Sequence, residues 1–186
     1  MLFQFKIQII GVTKPPVWRR VLVPANYTFE RFHEVIQAVF EWENRHLYLF
    51  SPKGFGSEPV ISIPDDGWEV GHNASKLKLS EIFKTEGQTY TYVYDFGDNW
   101  DHKITLEAIS PEHALKAICL AGKGACPPED IGGVPMYEHM KDALENSPNS
   151  PDAKFFRDQF GLVKGETWED VYEFDIDEVN QDLLEV

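Results

Sequence analysis

The sequence predicts an α+β domain, with a mainly antiparallel sheet, a long N-terminal helix packed on it and a helical, acidic C-terminal region. Three observations carry this. Phe3, Phe5, Ile7 and Ile9 alternate with polar residues, the period of a half-buried strand. Phe29, Phe32, Val35, Ile36, Val39 and Phe40 share one face at helical spacing. Between Pro127 and Val186 there are 16 acidic and 4 basic residues on a punctuated helical pattern. At 186 residues the chain fits one domain, with 1–126 as the sheet core and 127–186 as its acidic helical part.

The elements follow in order. Lys14-Pro15-Pro16 breaks the first strand, and Val17 to Val23 resumes as a second before Pro24 ends it. Thr28 is placed to cap a helix that runs to about Phe40, with His33 on the rim of its apolar stripe. His46 to Phe50 alternates as a strand, and Ser51 to Gly56 has turn chemistry. Pro59 to Gly71 reads as an irregular loop with a short strand at Val60 to Ile63, and Leu77 to Phe83 as a short helix. In the last third, Pro135 opens a helix reaching Leu144, with Tyr137, Met140 and Leu144 facing inward. Ser150-Pro151 caps the next helix, Gly161 stops it, and Asp175 caps a final one burying Ile176, Val179 and Leu183.

The densest polar-aromatic segment, Tyr90 to Leu106, reads as a β-hairpin. A three-residue loop, Gly97 to Asn99, pairs Phe96 with Trp100 and Tyr94 with His102 and gives one apolar face, with Asn99 in the left-handed conformation. That register sets Asp95 opposite Asp101, a like-charge conflict beside Asp98 at the tip. The three carboxylates either stay solvated or hold a divalent cation through oxygen ligands, the one cofactor the sequence leaves open. His102 reads as a core histidine needing a partner for each ring nitrogen.

Cys119 and Cys126 lack the CxxC spacing of a structural zinc site, and Gly122-Lys123-Gly124 lacks the spacing of a phosphate loop. What remains is a proline-stiffened loop carrying Glu129 and Asp130, a common build for a binding surface. The net charge of −14 is concentrated after Cys126, a field that repels nucleic acid from that part. MLFQFKIQII has no cleavage site of a signal peptide, and no apolar run approaches the roughly 20 residues of a membrane helix. Cytoplasmic placement, reduced thiols and no membrane partner are therefore expected.

PPVWRRVLVP, WENRHLYLF, YTYVYDFGDNWDHKI and CLAGKGACPPEDIGGVPMYE, in that order, resemble the Ri-plasmid ORF-3-like family, some of whose members carry insertion-element passenger or TnpR labels. The resemblance runs from about Phe3 to Asn180 and implies a plasmid- or mobile-element-associated protein without an assigned activity. Its signature positions here include Trp18, Arg19, His46, Tyr94, Asp95, Gly97, Asp98, Trp100 and His102. They continue with Cys119, Cys126, Pro127, Pro128, Glu129, Asp130, Gly132, Gly133 and Tyr137. Many relatives read HLH where this chain has His46-Leu47-Tyr48, so a metal site built on that histidine pair loses one ligand. A recombinase needs positive charge around the transferring phosphate, and of the five arginines only Arg19 and Arg20 are adjacent.

The function expected is a non-enzymatic binding or interaction module. Its candidate cluster is His46, Tyr94, Asp95, Asp98, Trp100, Asp101, His102, Cys126, Glu129 and Asp130. The expected partner is a protein, a basic one fitting the acidic surface best. One alternative is a metal-dependent hydrolase using the Asp/His cluster, with Asp95, Asp98 and Asp101 as metal candidates. Another is an accessory nucleic-acid-binding factor, which needs Lys14, Arg19, Arg20 and Arg31 on one basic face.

Overall fold

Alternation at the N-terminus becomes two strands, β1 (Leu2–Ile9) and β2 (Trp18–Pro24), in a computed structural model that describes residues 1–64 and 71–186. Helix α1 (Phe29–Val39) comes next, followed by strands β3 (Tyr48–Ser51), β4 (Ile61–Ser62) and β5 (His72–Asn73). A short α2 (Leu79–Ile82) precedes β6 (Thr89–Tyr94), β7 (Trp100–Ser110) and β8 (Ile118–Lys123). The chain closes with α3 (Gly133–Asn146), α4 (Pro151–Phe160), α5 (Trp168–Val171) and α6 (Ile176–Asp182). The strands form one sheet in the order β5-β4-β3-β6-β7-β1-β2-β8. Residues 65–70 of the expected Pro59–Gly71 loop lie outside the described residues.

This corrects the predicted architecture on two counts. The sheet is mixed, because β4 and β5 run parallel with Ile61 beside His72. No long helix stands at the N-terminus: a strand does, and α1 is the third element, with 11 residues. The physical cause lies at its ends. Thr28 Oγ1 accepts a hydrogen bond from the Arg31 backbone N–H at 3.2 Å, closing the N-terminus. Glu41 and Asn44 then take left-handed backbone angles (φ 57° and 53°), which no continuing α-helix admits. The apolar stripe of α1 packs on the sheet, with the Phe32 ring 4.9 Å from Phe5 and Phe29 5.1 Å from Phe50.

The hairpin register is also corrected. Tyr94 pairs with Trp100 and Tyr92 with His102, leaving a five-residue connection, Asp95 to Asn99. Because the slip is two residues, the side-chain period keeps Tyr92, Tyr94, Trp100 and His102 on one buried face. Asp101 faces Val93 across the ladder, so the expected Asp95–Asp101 conflict does not arise. Asp95 (φ 56°) and Asn99 (φ 59°) both adopt left-handed angles, and the Asn99 N–H donates to the Asp95 carbonyl at 2.6 Å.

The segment read as a cysteine loop begins as β8, with Cys119 opposite Val21. Beyond it, three aromatic donors tie residues 125–127 to their surroundings. The Tyr137 hydroxyl donates to the Ala125 carbonyl at 3.0 Å, Trp168 Nε1 to Cys126 at 2.8 Å and Trp42 Nε1 to Pro127 at 2.9 Å. Arg19 is fully buried. Its guanidinium donates to the carbonyls of Val39, Trp18, Lys123 and Gly124 at 2.8–3.1 Å, under the Phe174 ring. Burial lowers its pKa from the ordinary arginine value. Among the described residues no helix is long and apolar enough to cross a membrane.

Candidate functional site

The hairpin tip and the Pro127–Gly133 loop meet because their backbones approach closely. Asp98 Oδ2 accepts the Gly132 N–H at 2.8 Å. A Cβ on Gly133 would fall 2.4 Å from the Asp98 carbonyl oxygen, so only glycine fits there. This contact brings together side chains supplied by three separate stretches of sequence: His46, Asp95 with Tyr94, and Glu129 with Asp130.

His46 Nε2 is the centre of that group. Asp130 Oδ1 lies 3.0 Å away, Asp95 Oδ2 3.6 Å and Glu129 Oε2 3.7 Å. The nitrogen is shut off from solvent, yet it forms no hydrogen bond with any of these oxygens, two of which stand beyond hydrogen-bond distance. Two of the carboxylates are divided in their duties. Asp95 Oδ1 accepts the Gly97 N–H at 2.9 Å, leaving Oδ2 toward His46. Glu129 Oε1 accepts from the Tyr94 hydroxyl at 3.1 Å and the Glu43 N–H at 2.9 Å, leaving Oε2 toward His46. Tyr94 accepts in turn from the Arg45 N–H at 3.0 Å, and burial holds its phenol protonated well above the ordinary tyrosine range.

Each of the two aspartates sits on a left-handed residue, φ 56° at Asp95 and 56° at Asp130. Side-chain exposure falls from 61 % at Asp130 through 27 % at His46 to 10 % at Asp95, so the site opens to solvent on one side. One imidazole and several carboxylate oxygens form a mixed donor set that suits first-row divalent metals. Four ligands held about 2.1 Å from a tetrahedral metal stand about 3.4 Å apart. The 3.0 and 3.6 Å spacings from His46 to Asp130 and Asp95 bracket that edge length.

The predicted cluster is thus divided by the fold. His46, Tyr94, Asp95, Glu129 and Asp130 converge, with Asp98 clamping their edge. Trp100, His102 and Cys126 lie in the core. His102 Nδ1 donates to the Trp100 carbonyl at 2.9 Å, and its ring is enclosed by Phe40, Trp42 and Tyr92. Burial depresses the His102 pKa to about 3, a neutral structural imidazole. The group that forms is not the Asp95–Asp98–Asp101 set: Asp98 is spent on Gly132, and Asp101 points away on the other face of β7. Among the described residues, the one group of His, Cys, Asp or Glu spaced for a metal is His46, Asp95 and Asp130, all within 4.8 Å.

Sequence reasoning missed that His46, rather than the aspartates, is the hub. It also missed the part played by the Glu43 and Arg45 backbones. The WENRH stretch carried the signal, since Glu41 and Asn44 in left-handed conformations fold it back over the hairpin.

Comparison with known proteins places these features in a lineage. The family model of the plasmid pRiA4b ORF-3-like proteins matches residues 1–182. This chain belongs to that family. Its match spans the hairpin, the Pro127–Gly133 loop and the C-terminal helices alike. An uncharacterized protein, y4hQ of Sinorhizobium fredii, is 36 % identical over 144 residues, which cover 76 % of this chain and 72 % of that protein. The crystal structure of MM3350 from Methanosarcina mazei Go1, a protein of unknown function, is similar with a TM-score of 0.77 and 34 % identity. That match covers 95 % of this chain and 96 % of the other. The family thus supplies a shared fold, and the chemistry has to be argued from the residues themselves.

Proposed function

We propose that this protein is a non-enzymatic binding module whose hairpin tip and Pro127–Gly133 loop are locked together by one first-row divalent cation. One observation carries the reading: His46 Nε2, solvent-shielded and without a hydrogen bond, faces three carboxylate oxygens at 3.0–3.7 Å. Leaving that nitrogen unpaired is costly, and a metal ion resolves both its lone pair and the crowded negative charge. His46, Asp95 and Asp130 are the ligands, Glu129 stands beside them with Oε2 toward His46, and solvent reaches the ion beside Asp130. The imidazole favours Zn²⁺ over Mg²⁺ and Ca²⁺, and the carboxylates also admit Mn²⁺.

The hydrolase alternative asks for a second acid-base group beside the ligands, and His102, the candidate from sequence, is closed in the core. The nucleic-acid alternative asks for a basic face, and Arg19 is buried while Arg20 is paired with Glu107 at 2.6 Å. Two buried, unbridged thiols support a reducing, cytoplasmic setting.

Equilibrium dialysis of metal-stripped protein against Zn²⁺, Mn²⁺, Mg²⁺ and Ca²⁺ tests the reading. One equivalent of Zn²⁺ or Mn²⁺ retained by the protein, and lost by His46→Ala, is the expected result. Retention of no ion, or of the same ion by His46→Ala, would contradict it.

A further inference from the structure

Next to the cation site, a groove of about 240 Å³ opens between the end of α1, the Pro127–Pro128 segment and α5. Its walls include Trp42, Trp168 and Tyr172, and its rim carries Glu41, Glu43 and Glu129. Tyr172 lies flat on Trp168 with ring centroids 4.0 Å apart and is 41 % exposed, so one face of that stack remains open. The groove is smaller than the roughly 300–1,000 Å³ that hold drug-sized ligands, which fits a single side chain rather than a cofactor.

The charge of the rim decides which side chain. Glu43 is paired with Arg45, and Glu129 is engaged by Tyr94 and the Glu43 N–H. Glu41 forms no ion pair among the described residues. Enclosure of its carboxyl raises the Glu41 pKa against the pull of buried Arg19, and the carboxylates of Glu178, Asp182 and Asp175 push the same way as the enclosure. Buried Arg19 attracts the Glu41 carboxylate without forming an ion pair with it, and a carboxylate so placed in an acidic field beside an open aromatic stack calls for a further cation. A planar guanidinium can stack on Tyr172 and fork onto a carboxylate, whereas an ammonium is a point charge.

We propose that this groove receives an arginine side chain from a basic segment of a partner protein. The occupant is thus a macromolecule with exposed arginine, matched to the 16 acidic and 4 basic residues of Pro127 to Val186. The groove adjoins the cation centre at Glu129, but the stack of Tyr172 and the Glu41 carboxylate lie outside that centre, which need not be loaded.

Fluorescence anisotropy of a labelled hexapeptide alternating arginine and glycine tests this, in excess EDTA so that the cation site plays no part. Saturable binding is expected, weakened about tenfold when citrulline replaces arginine, because the charge-assisted hydrogen bonds are lost. Tyr172→Ala should weaken it about fivefold through loss of the cation–π face. Glu41→Gln should weaken it about tenfold, while Glu112→Gln, an equal loss of charge on the β7–β8 connection, changes it less than about twofold. Glu41 lies at the surface with its carboxyl partly enclosed, and Gln keeps its shape; Tyr172 is 41 % exposed, and urea unfolding of both variants confirms that the fold is kept. Equal binding of the citrulline peptide, or indifference to Tyr172→Ala and Glu41→Gln, overturns the proposal. Self-association of the protein abolished by Tyr172→Ala would assign the groove to a second copy and overturn it as well.

Discussion

Replacing Gly133 by alanine should damage both the fold and the cation site, and Gly161 supplies the matched control. Both glycines have left-handed backbones, φ 73° at Gly133 and 70° at Gly161. A Cβ at Gly161 meets nothing within 4 Å, so Gly161→Ala incurs only the backbone penalty, about 1 kcal/mol. At Gly133 the same Cβ would sit 2.4 Å from the Asp98 carbonyl oxygen, a backbone atom that cannot swing aside. Adding an overpacking cost of about 1–3 kcal/mol brings Gly133→Ala to about 2–4 kcal/mol. Relief of the clash pushes the hairpin tip from the loop, separating Asp95 from Asp130 and lowering Zn²⁺ affinity by about tenfold or more. Urea unfolding followed by tryptophan fluorescence measures the first effect, and a zinc titration of the folded variants the second. Equal stability losses at the two glycines, or an undiminished zinc affinity in Gly133→Ala, would refute the reasoning.

Other positions give independent tests. Arg19→Met leaves four carbonyls without their charged donor and should lower stability by about 3–5 kcal/mol in urea unfolding, where a loss under about 1 kcal/mol would be incompatible with its bonding. His102 has a folded-state pKa of about 3, below the ordinary 6.5, so the unfolded chain takes up the proton first. Its contribution is therefore complete above about pH 6.5 and is lost as pH falls, by about 2 kcal/mol at pH 5. Wild-type stability should accordingly fall more steeply between pH 7 and 5, read as ranges on the ordinary scale, than that of His102→Gln; parallel curves would show that His102 is not held neutral. Asn180 bridges edge strand β8 by accepting from the Cys119 N–H at 2.8 Å and donating to the Cys119 carbonyl at 3.0 Å. Asn180→Ala should expose that edge and yield concentration-dependent dimers in sedimentation, whereas a strictly monomeric variant would count against this blocking role.

What the sequence disclosed depended on the range of the forces involved. The capped helices were legible because their signals are local: Thr28, Ser150 and Asp175 each accept hydrogen bonds from the first turn that follows. The hairpin face was legible by period, while its loop length was not, because a slip of two residues leaves the apolar face unchanged. Strand β8 escaped notice because it reverses the usual signal, exposing Ile118 and Leu120 while burying Cys119. The first helix ends at Val39, close to the stop expected at about Phe40, but it is the third element, because the N-terminal apolar alternation forms a strand. At the site, the sequence marked His46, Asp95, Glu129 and Asp130 as candidates without showing that they meet. Their convergence depends on the Asp98–Gly132 bond and the close approach at Gly133, both of long sequence range.

Nitrogen chemical shifts of the imidazole rings report on the cation centre most directly. In a titration of ¹⁵N-labelled, metal-stripped protein with Zn²⁺, the His46 Nε2 resonance should move to its bound position at one equivalent, assigned by its absence in His46→Gln. The buried rings of His33 and His102 should keep their shifts throughout, since His33 is committed to Tyr92 and Asn44 and His102 to Trp100. A His46 Nε2 signal unmoved by Zn²⁺ would contradict the proposed site, as would a response carried by any other histidine.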